Sequence, residues 1–251
     1  MWQLAGGAYR TAMTCAASLR MTTKRPTAFY VQLNHVEQNA LREVARLKKY
    51  AASTHLVLQG DRSDQVFIVV SGWVKVTVAV EGGDYEVVLA VRGPGDIVGE
   101  SPAVGGEVRS ATVTALGEVS TMVVPADRFI AFLDEHPRTW RLLSSTLTHR
   151  LEETERRLQG TASADGSRRL ASLLVELADD YGSLGPDGSV VIPVPLSQQD
   201  LASWADASRK TMVRALRVWR ESGMIDTTYR KITILDLPGL RRLAGALVAG
   251  G

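Results

Sequence analysis

A single cysteine, Cys15, stands among 251 residues. One thiol cannot close an intramolecular disulfide, nor can it supply the several thiolates of an iron–sulfur cluster or structural zinc site. This usage points to a reducing, cytoplasmic setting. No run approaches the roughly 18 uninterrupted apolar residues of a membrane-spanning helix, so no membrane partner is expected. Charge of one sign is also scarce: 29 Lys and Arg oppose 27 Asp and Glu, a formal excess of +2. An evenly basic surface is thereby excluded, and any DNA-contacting face has to come from local clustering. The four histidines (His35, His55, His136 and His149) lack ligand-like spacing, and no nucleophile has a base beside it. Neither a metal centre nor an enzyme is expected.

What is present suits a folded protein: 45% hydrophobic and 22% charged residues, in a chain long enough for two domains with separate cores. Residues 1–20 are weakly apolar and interrupted by Arg10, a poor secretory signal. Residues 1–28 are expected to be a disordered tail, with Met21 an alternative start. From Leu33 to Leu47 apolar residues recur at helical spacing. Strand-like runs follow at 55–58, 65–70, 73–80, 86–91, 112–115 and 119–124, broken by turn residues such as those of 81–84. Val74, Val76, Val78 and Val80 alternate with Lys75, Thr77 and Ala79, the period of a sheet with one buried face. Residues 29–136 thus read as a mainly β domain of barrel or sandwich type.

After Pro137 the pattern becomes helical. Trp140, Leu147, Leu151, Thr154 and Leu158 form a heptad seam with Ser144, flanked by prospective i,i+4 pairs Glu152–Arg156 and Glu153–Arg157. Residues 137–160 are read as a dimerisation helix, although a helix packed on its own domain fits the same spacing. The small, polar stretch at 161–168 marks a hinge, and 169–242 form a second domain.

The features that point to DNA lie in that second domain. Ser197 with Asp200, and Ser208 eleven residues later, cap two successive helices joined by a turn too short for anything but an angled pair. Met212, Ala215, Leu216 and Trp219 mark the inner face of the second helix. Arg209, Lys210, Thr211 and Arg214 project from its first turns, where a recognition helix meets the major groove. From Ala207 to Arg220 there are five basic residues and no acidic one. Most charged helix faces are merely solvated; here capping, turn length and one-sided charge all agree. Gln199 joins this DNA-facing set. Residues 224–235 read as a hairpin wing with Arg230 and Lys231 near its tip, placed to touch phosphates.

The order of sensor domain, long helix, hinge and winged helix resembles the cyclic-AMP receptor protein and fumarate–nitrate reduction regulator family over roughly residues 29–242. The most specific pieces are Arg92-Gly-Pro-Gly-Asp-Ile-Val-Gly-Glu100, Arg109-Ser-Ala-Thr and Ala207-Ser-Arg-Lys-Thr-Met-Val-Arg214. The resemblance implies an α+β fold: a cyclic-nucleotide-binding jelly-roll barrel, a dimerisation helix and a C-terminal winged helix-turn-helix. It implies cyclic AMP as effector, held by Val98, Gly99, Glu100, Arg109, Ser110 and Thr154. It also implies a homodimer on palindromic duplex DNA, with RNA polymerase as a further partner. The pattern departs at Pro102, inside the short helix after Glu100, at Glu155, where the partner subunit usually offers a serine, and at Lys210, where the cyclic-AMP receptor protein has glutamate. A sensor of another effector or of haem, and a nucleotide-binding regulatory subunit acting on a protein, are the alternative readings.

Overall fold

The computed structural model describes residues 25, 27–62, 64–80, 85–105, 108–161, 165–228 and 231–245, with no side chains for 158–161. Cys15, the turn at 81–84, Arg230 and part of the expected hinge lie outside the described residues.

Helix α1 (His35–Val44) begins where Asn34 and Glu37 form a reciprocal capping box. It stops three residues short of the expected Leu47, because Ala45 turns extended and Arg46–Tyr50 enters a strand, β1. β1 has four exposed residues out of five, so it shows no hydrophobic period. Pairing with β8 along all five positions creates it.

The strands β2 (His55–Val57), β3 (Gln65–Ser71), β4 (Val74–Ala79), β5 (Glu86–Arg92), β6 (Ile97–Val98), β7 (Thr112–Ala115) and β8 (Val119–Pro125) complete the N-terminal domain. They form two antiparallel four-stranded sheets, ordered β1-β8-β3-β6 and β2-β7-β4-β5. This is a jelly roll rather than a hydrogen-bonded closed barrel. Tyr50, Phe67, Val69 and Val123 of one sheet meet Val57, Val74, Val113 and Ala115 of the other. The expected valine alternation holds for only half of β4. A bulge between Val76 and Thr77 against β5 shifts the pleat and turns Thr77 inward.

Helix α2 (Ala126–Glu135) covers the outer face of the first sheet with Phe129, Phe132 and Leu133. The long helix α3 (Pro137–Thr161) follows. The two expected ion pairs along α3 do not form: Arg156 donates to the Glu152 main-chain oxygen, while Glu153 and Arg157 turn to other partners. Leu151 and Thr154 of the seam are exposed in the single chain.

Helix α4 (Gly166–Tyr181) starts at Asp165, whose carboxylate accepts from the Arg168 amide. It is followed by β9 (Ser183–Leu184), β10 (Val190–Ile192), α5 (Gln198–Trp204), α6 (Arg209–Glu221), β11 (Ile225–Thr228), β12 (Lys231–Ile234) and α7 (Leu237–Ala244), and it packs on β10, α5, α6 and α7. The core of this C-terminal domain continues into the jelly roll through Val91, Leu116 and Trp73, whose ring meets Tyr181 edge-on at 4.9 Å. Two residues of the expected tail, Arg25 and Ala28, are buried, and Phe29 and Tyr30, at the start of the expected sensor domain, enter the core beneath the first sheet.

Candidate effector cavity and nucleic-acid interface

A cavity of about 210 Å³ opens between the second sheet, the segment after β6 and helix α3. All six residues expected to hold an effector line it: Val98, Gly99, Glu100, Arg109, Ser110 and Thr154. Gly99 has φ +73°, and a Cβ there would stand 2.9 Å from the Arg109 Nη1. At that φ an L side chain is strained whatever the space around it, which favours glycine. Arg109, 3% exposed, donates through Nη1 to the Gly99 carbonyl at 2.5 Å and through Nη2 to the Gln65 carbonyl at 2.6 Å. Burial pulls its pKa down, against the opposing pull of Glu100, Asp64 and Asp61.

Read without the resemblance, Glu100 and Arg109 would be a surface pair; both are in fact buried. Glu100 Oε1 accepts from Arg150 Nη1 at 2.8 Å. Its Oε2 is buried with no hydrogen-bond partner among the described residues. A carboxylate oxygen left in that state is costly and calls for a donor. Ser110 is exposed on the cavity rim, and the Thr154 hydroxyl donates to the Arg150 carbonyl one turn earlier on α3. After Glu100 the chain makes one 3-10 turn, Ser101–Val104, with Pro102 in its first positions. The missing proline N–H costs that turn nothing internally, because first-turn N–H groups have no helical partner.

Four further lining residues, Arg92, Arg150, Glu153 and Arg157, escaped the sequence reading. Arg150 was accessible to it, since it precedes Thr154 by four residues and shares its helix face. Burial lowers the Arg150 pKa, with Glu100 opposing. The cavity therefore offers an unmet acceptor, several guanidinium groups and the hydroxyls of Ser101, Ser110 and Thr154, a set suited to a small anion that also carries a hydroxyl.

The second interface is built from α5 and α6. Ser197 and Asp200 form the capping box of α5, and Ser208 caps α6 by accepting from the Thr211 amide at 3.0 Å. Met212, Ala215, Leu216 and Trp219 are buried, as their spacing requires. The opposite face exposes Arg209, Lys210, Arg214, Arg217 and Arg220, with Val213 among them 44% exposed. Thr211 is half-buried, its hydroxyl 2.8 Å from that of Ser208. Gln199 is exposed on α5. Arg220 donates to Thr227 Oγ1 and so ties α6 to the wing strand β11. Lys231 is exposed at the start of β12, and Arg230 is outside the described residues. No helix among the described residues is long and apolar enough to cross a membrane.

Residues 47–136 match the cyclic nucleotide-binding domain family, and residues 168–243 match the Crp-like helix-turn-helix domain. The global nitrogen regulator of Synechocystis sp. is 30% identical over 190 residues, covering 75% of this chain and 84% of that protein. A CRP-like cAMP-activated global transcriptional regulator of Mycobacterium tuberculosis is 27% identical over 186 residues, covering 74% and 82%. The structure of FixK2 from Bradyrhizobium japonicum superposes with a TM-score of 0.72 at 19% identity, over 82% of this chain and all of that one. A helix-turn-helix with a cationic outer face, joined to a nucleotide-binding jelly roll, accords with these matches, and the chain belongs to the Crp/Fnr family of DNA-binding transcriptional regulators.

Proposed function

We propose that the protein is a homodimeric regulator that binds palindromic duplex DNA under the control of cyclic AMP. The observation that carries the effector assignment is the buried Glu100 Oε2, which lacks a donor among the described residues and lines the same cavity as Arg109. In this reading Glu100 accepts from the ribose 2′-hydroxyl. Arg109 and Ser110 hold the phosphate, assisted by the main chain at Val98 and Gly99, and Thr154 meets the purine.

Two copies would pair along the exposed Leu151 and Thr154 seam of α3 and set two recognition helices about 34 Å apart, one DNA turn. Arg209 and Lys210 then read base edges. Gln199, Ser208, Thr211 and Arg214 hold the backbone, with Arg230 and Lys231 gripping it from the wing. Lysine prefers guanine O6 and N7, where a glutamate would accept from cytosine N4. Val213, an aliphatic side chain among exposed cations, suits a thymine methyl. RNA polymerase is the partner through which such a dimer would act.

Calorimetric titration with cyclic AMP and cyclic GMP tests the effector, followed by DNA binding with and without the ligand. Cyclic AMP should bind the parent and lose affinity in Glu100→Gln and Arg109→Ala; equal binding to all three would refute the assignment. A second reading is favoured by charge. Arg92, Arg109, Arg150 and Arg157 line the cavity against only Glu100 and Glu153, which suits a more highly charged anion without ribose. Such a ligand would leave Glu100 Oε2 unmet, and it is supported if neither nucleotide gives heat.

A further inference from the structure

Arg25, ahead of the first helix, is 7% exposed and joins four parts of the molecule. Its guanidinium donates to Glu153 on α3 at 2.7 Å and to Tyr181 Oη at the end of α4 at 2.8 Å. It lies 3.5 Å from Asp96 in the turn between β5 and β6. Arg92 holds the other Glu153 oxygen at 3.2 Å, and Tyr181 Oη donates in turn to the Val91 carbonyl at 3.0 Å. The Arg25 guanidinium also lies over the Tyr181 ring, 5.1 Å from its centroid. One side chain thus binds the N-terminal segment, the jelly roll, the long helix and the DNA-binding domain together.

Burial alone would raise the Glu153 carboxyl, but Arg92 and Arg25 outweigh it and hold it below the usual carboxylate range. The cluster therefore stays ionised. Well-packed apolar residues stabilise a fold at least as well as a buried charge cluster does. What charges add is a fixed arrangement and sensitivity to another charge, and Arg92 and Glu153 both line the effector cavity.

The domain held this way is docked on the second sheet. Ser203 of α5 accepts from the Val88 amide at 3.2 Å and donates to the Glu86 carbonyl at 2.8 Å, and Lys75 pairs with Asp200 at 2.6 Å. Gln199, Ser208 and Arg209 line a crevice of about 630 Å³ whose other wall is Tyr85 to Leu89. A major groove about 12 Å wide has to close around both sides of a recognition helix. Here the jelly-roll edge stands across that crevice from the first turn of α6, on the side a groove wall would occupy.

Resting on the regulator reading above, we infer that the Arg25 cluster is an autoinhibitory clasp. It keeps the DNA-binding domain docked with the first turn of α6 withheld from DNA, and it loosens when an anion in the cavity draws Arg92 from Glu153. Arg25 is a positioning residue and touches neither ligand nor DNA.

The test uses the full chain as parent, Arg25→Met, Lys75→Ala and Ser203→Ala. The duplex is one selected from a random pool by the parent with cyclic AMP present, and binding is read by fluorescence anisotropy. Without nucleotide the three variants should bind about 5-fold or more tighter than the parent, the low end of ordinary allosteric coupling. With saturating cyclic AMP all four should bind alike. Amide exchange at Val88 should also quicken in Arg25→Met and Lys75→Ala, a remote effect on the dock.

Unchanged ligand-free affinity with unchanged Val88 exchange would overturn the clasp. So would an equal loss of affinity with and without nucleotide, which marks a merely structural role. If Arg25→Met fails to fold, the half-exposed Lys75 and Ser203 sites decide the matter. If the parent binds no duplex under either condition, the regulator reading fails, and Val88 exchange alone judges the clasp.

Discussion

The effector cavity and the recognition helix are both lined by arginine, yet they present it in opposite states. In the cavity Arg150 pairs with Glu100, Arg92 with Glu153, and Arg109 is gripped by two carbonyls. On α6 no described carboxylate pairs with Arg209, Lys210 or Arg214, and all three are exposed, Arg209 at the crevice that faces the jelly roll. Buried, preassembled charge accepts only a ligand matched in shape and charge, and salt screens it little. Exposed charge accepts any polyanion and is strongly screened. On the proposed function, the first region would select a small molecule, and the second would gain selectivity only from the few side chains that reach base edges.

Arg109→Ala should weaken cyclic AMP binding about 100-fold, the scale of a lost charge-assisted contact of about 3 kcal/mol, with ligand-free DNA affinity unchanged; calorimetry and anisotropy read the two. Lys210→Glu should alter the preferred half-site at one position, with about 1–3 kcal/mol of discrimination moving from guanine toward cytosine on the contacted strand. A selection that returned the same half-site for both proteins would remove Lys210 from base readout.

Lys231→Ala should weaken binding to all duplexes alike and reduce the slope of log affinity against log salt by about 1. Cyclic AMP binding, measured over the same salt range, should move far less.

The smallest effect concerns pH. Glu153 faces Arg25, Arg92, His149 and Arg157, with Asp180 near Arg25, and its folded pKa lies below the ordinary 4.5. A depressed carboxyl contributes stability that is fully present above the unfolded value and is lost as pH falls through the folded one. The difference in stability between the parent and Glu153→Gln should therefore hold steady above about pH 5 and shrink below the ordinary carboxylate range. Thermal unfolding at stepped pH measures it; a difference that grew on acidification would show that the carboxyl is not held ionised.

Local features were readable in the sequence. Ser197, Asp200 and Ser208 announce the helix starts because capping is decided within three residues, and the α6 face follows from 3.6-residue spacing. The jelly-roll strands were legible where valine recurs. Features set by distant partners were not. Lys48 and Lys49 disguise β1, which exists because β8 lies beside it. Thr77 faces inward through a bulge that no local pattern encodes. Glu153 looked like a partner for Arg157 four residues on, but Arg25, 128 residues away, claims it. In the cavity, family motifs pointed to Glu100 and Arg109, whereas the Arg150 guanidinium meets Glu100 only because α3 packs on the sheet, and Arg92, although it opens the same motif, shows its partner Glu153 only in the fold.

The Ser203 contact with β5 has a consequence for solubility. β5 is the outermost strand of its sheet, and an unprotected edge is a template for pairing with another chain. While the domain is docked, one serine hydroxyl satisfies both the Val88 amide and the Glu86 carbonyl on that edge. Lifting the domain onto DNA uncovers those groups together with Tyr85 and Leu89, already 63% and 41% exposed. The undocked form is then also the form most prone to self-association, so on the clasp proposal concentrated protein should keep best without added cyclic AMP.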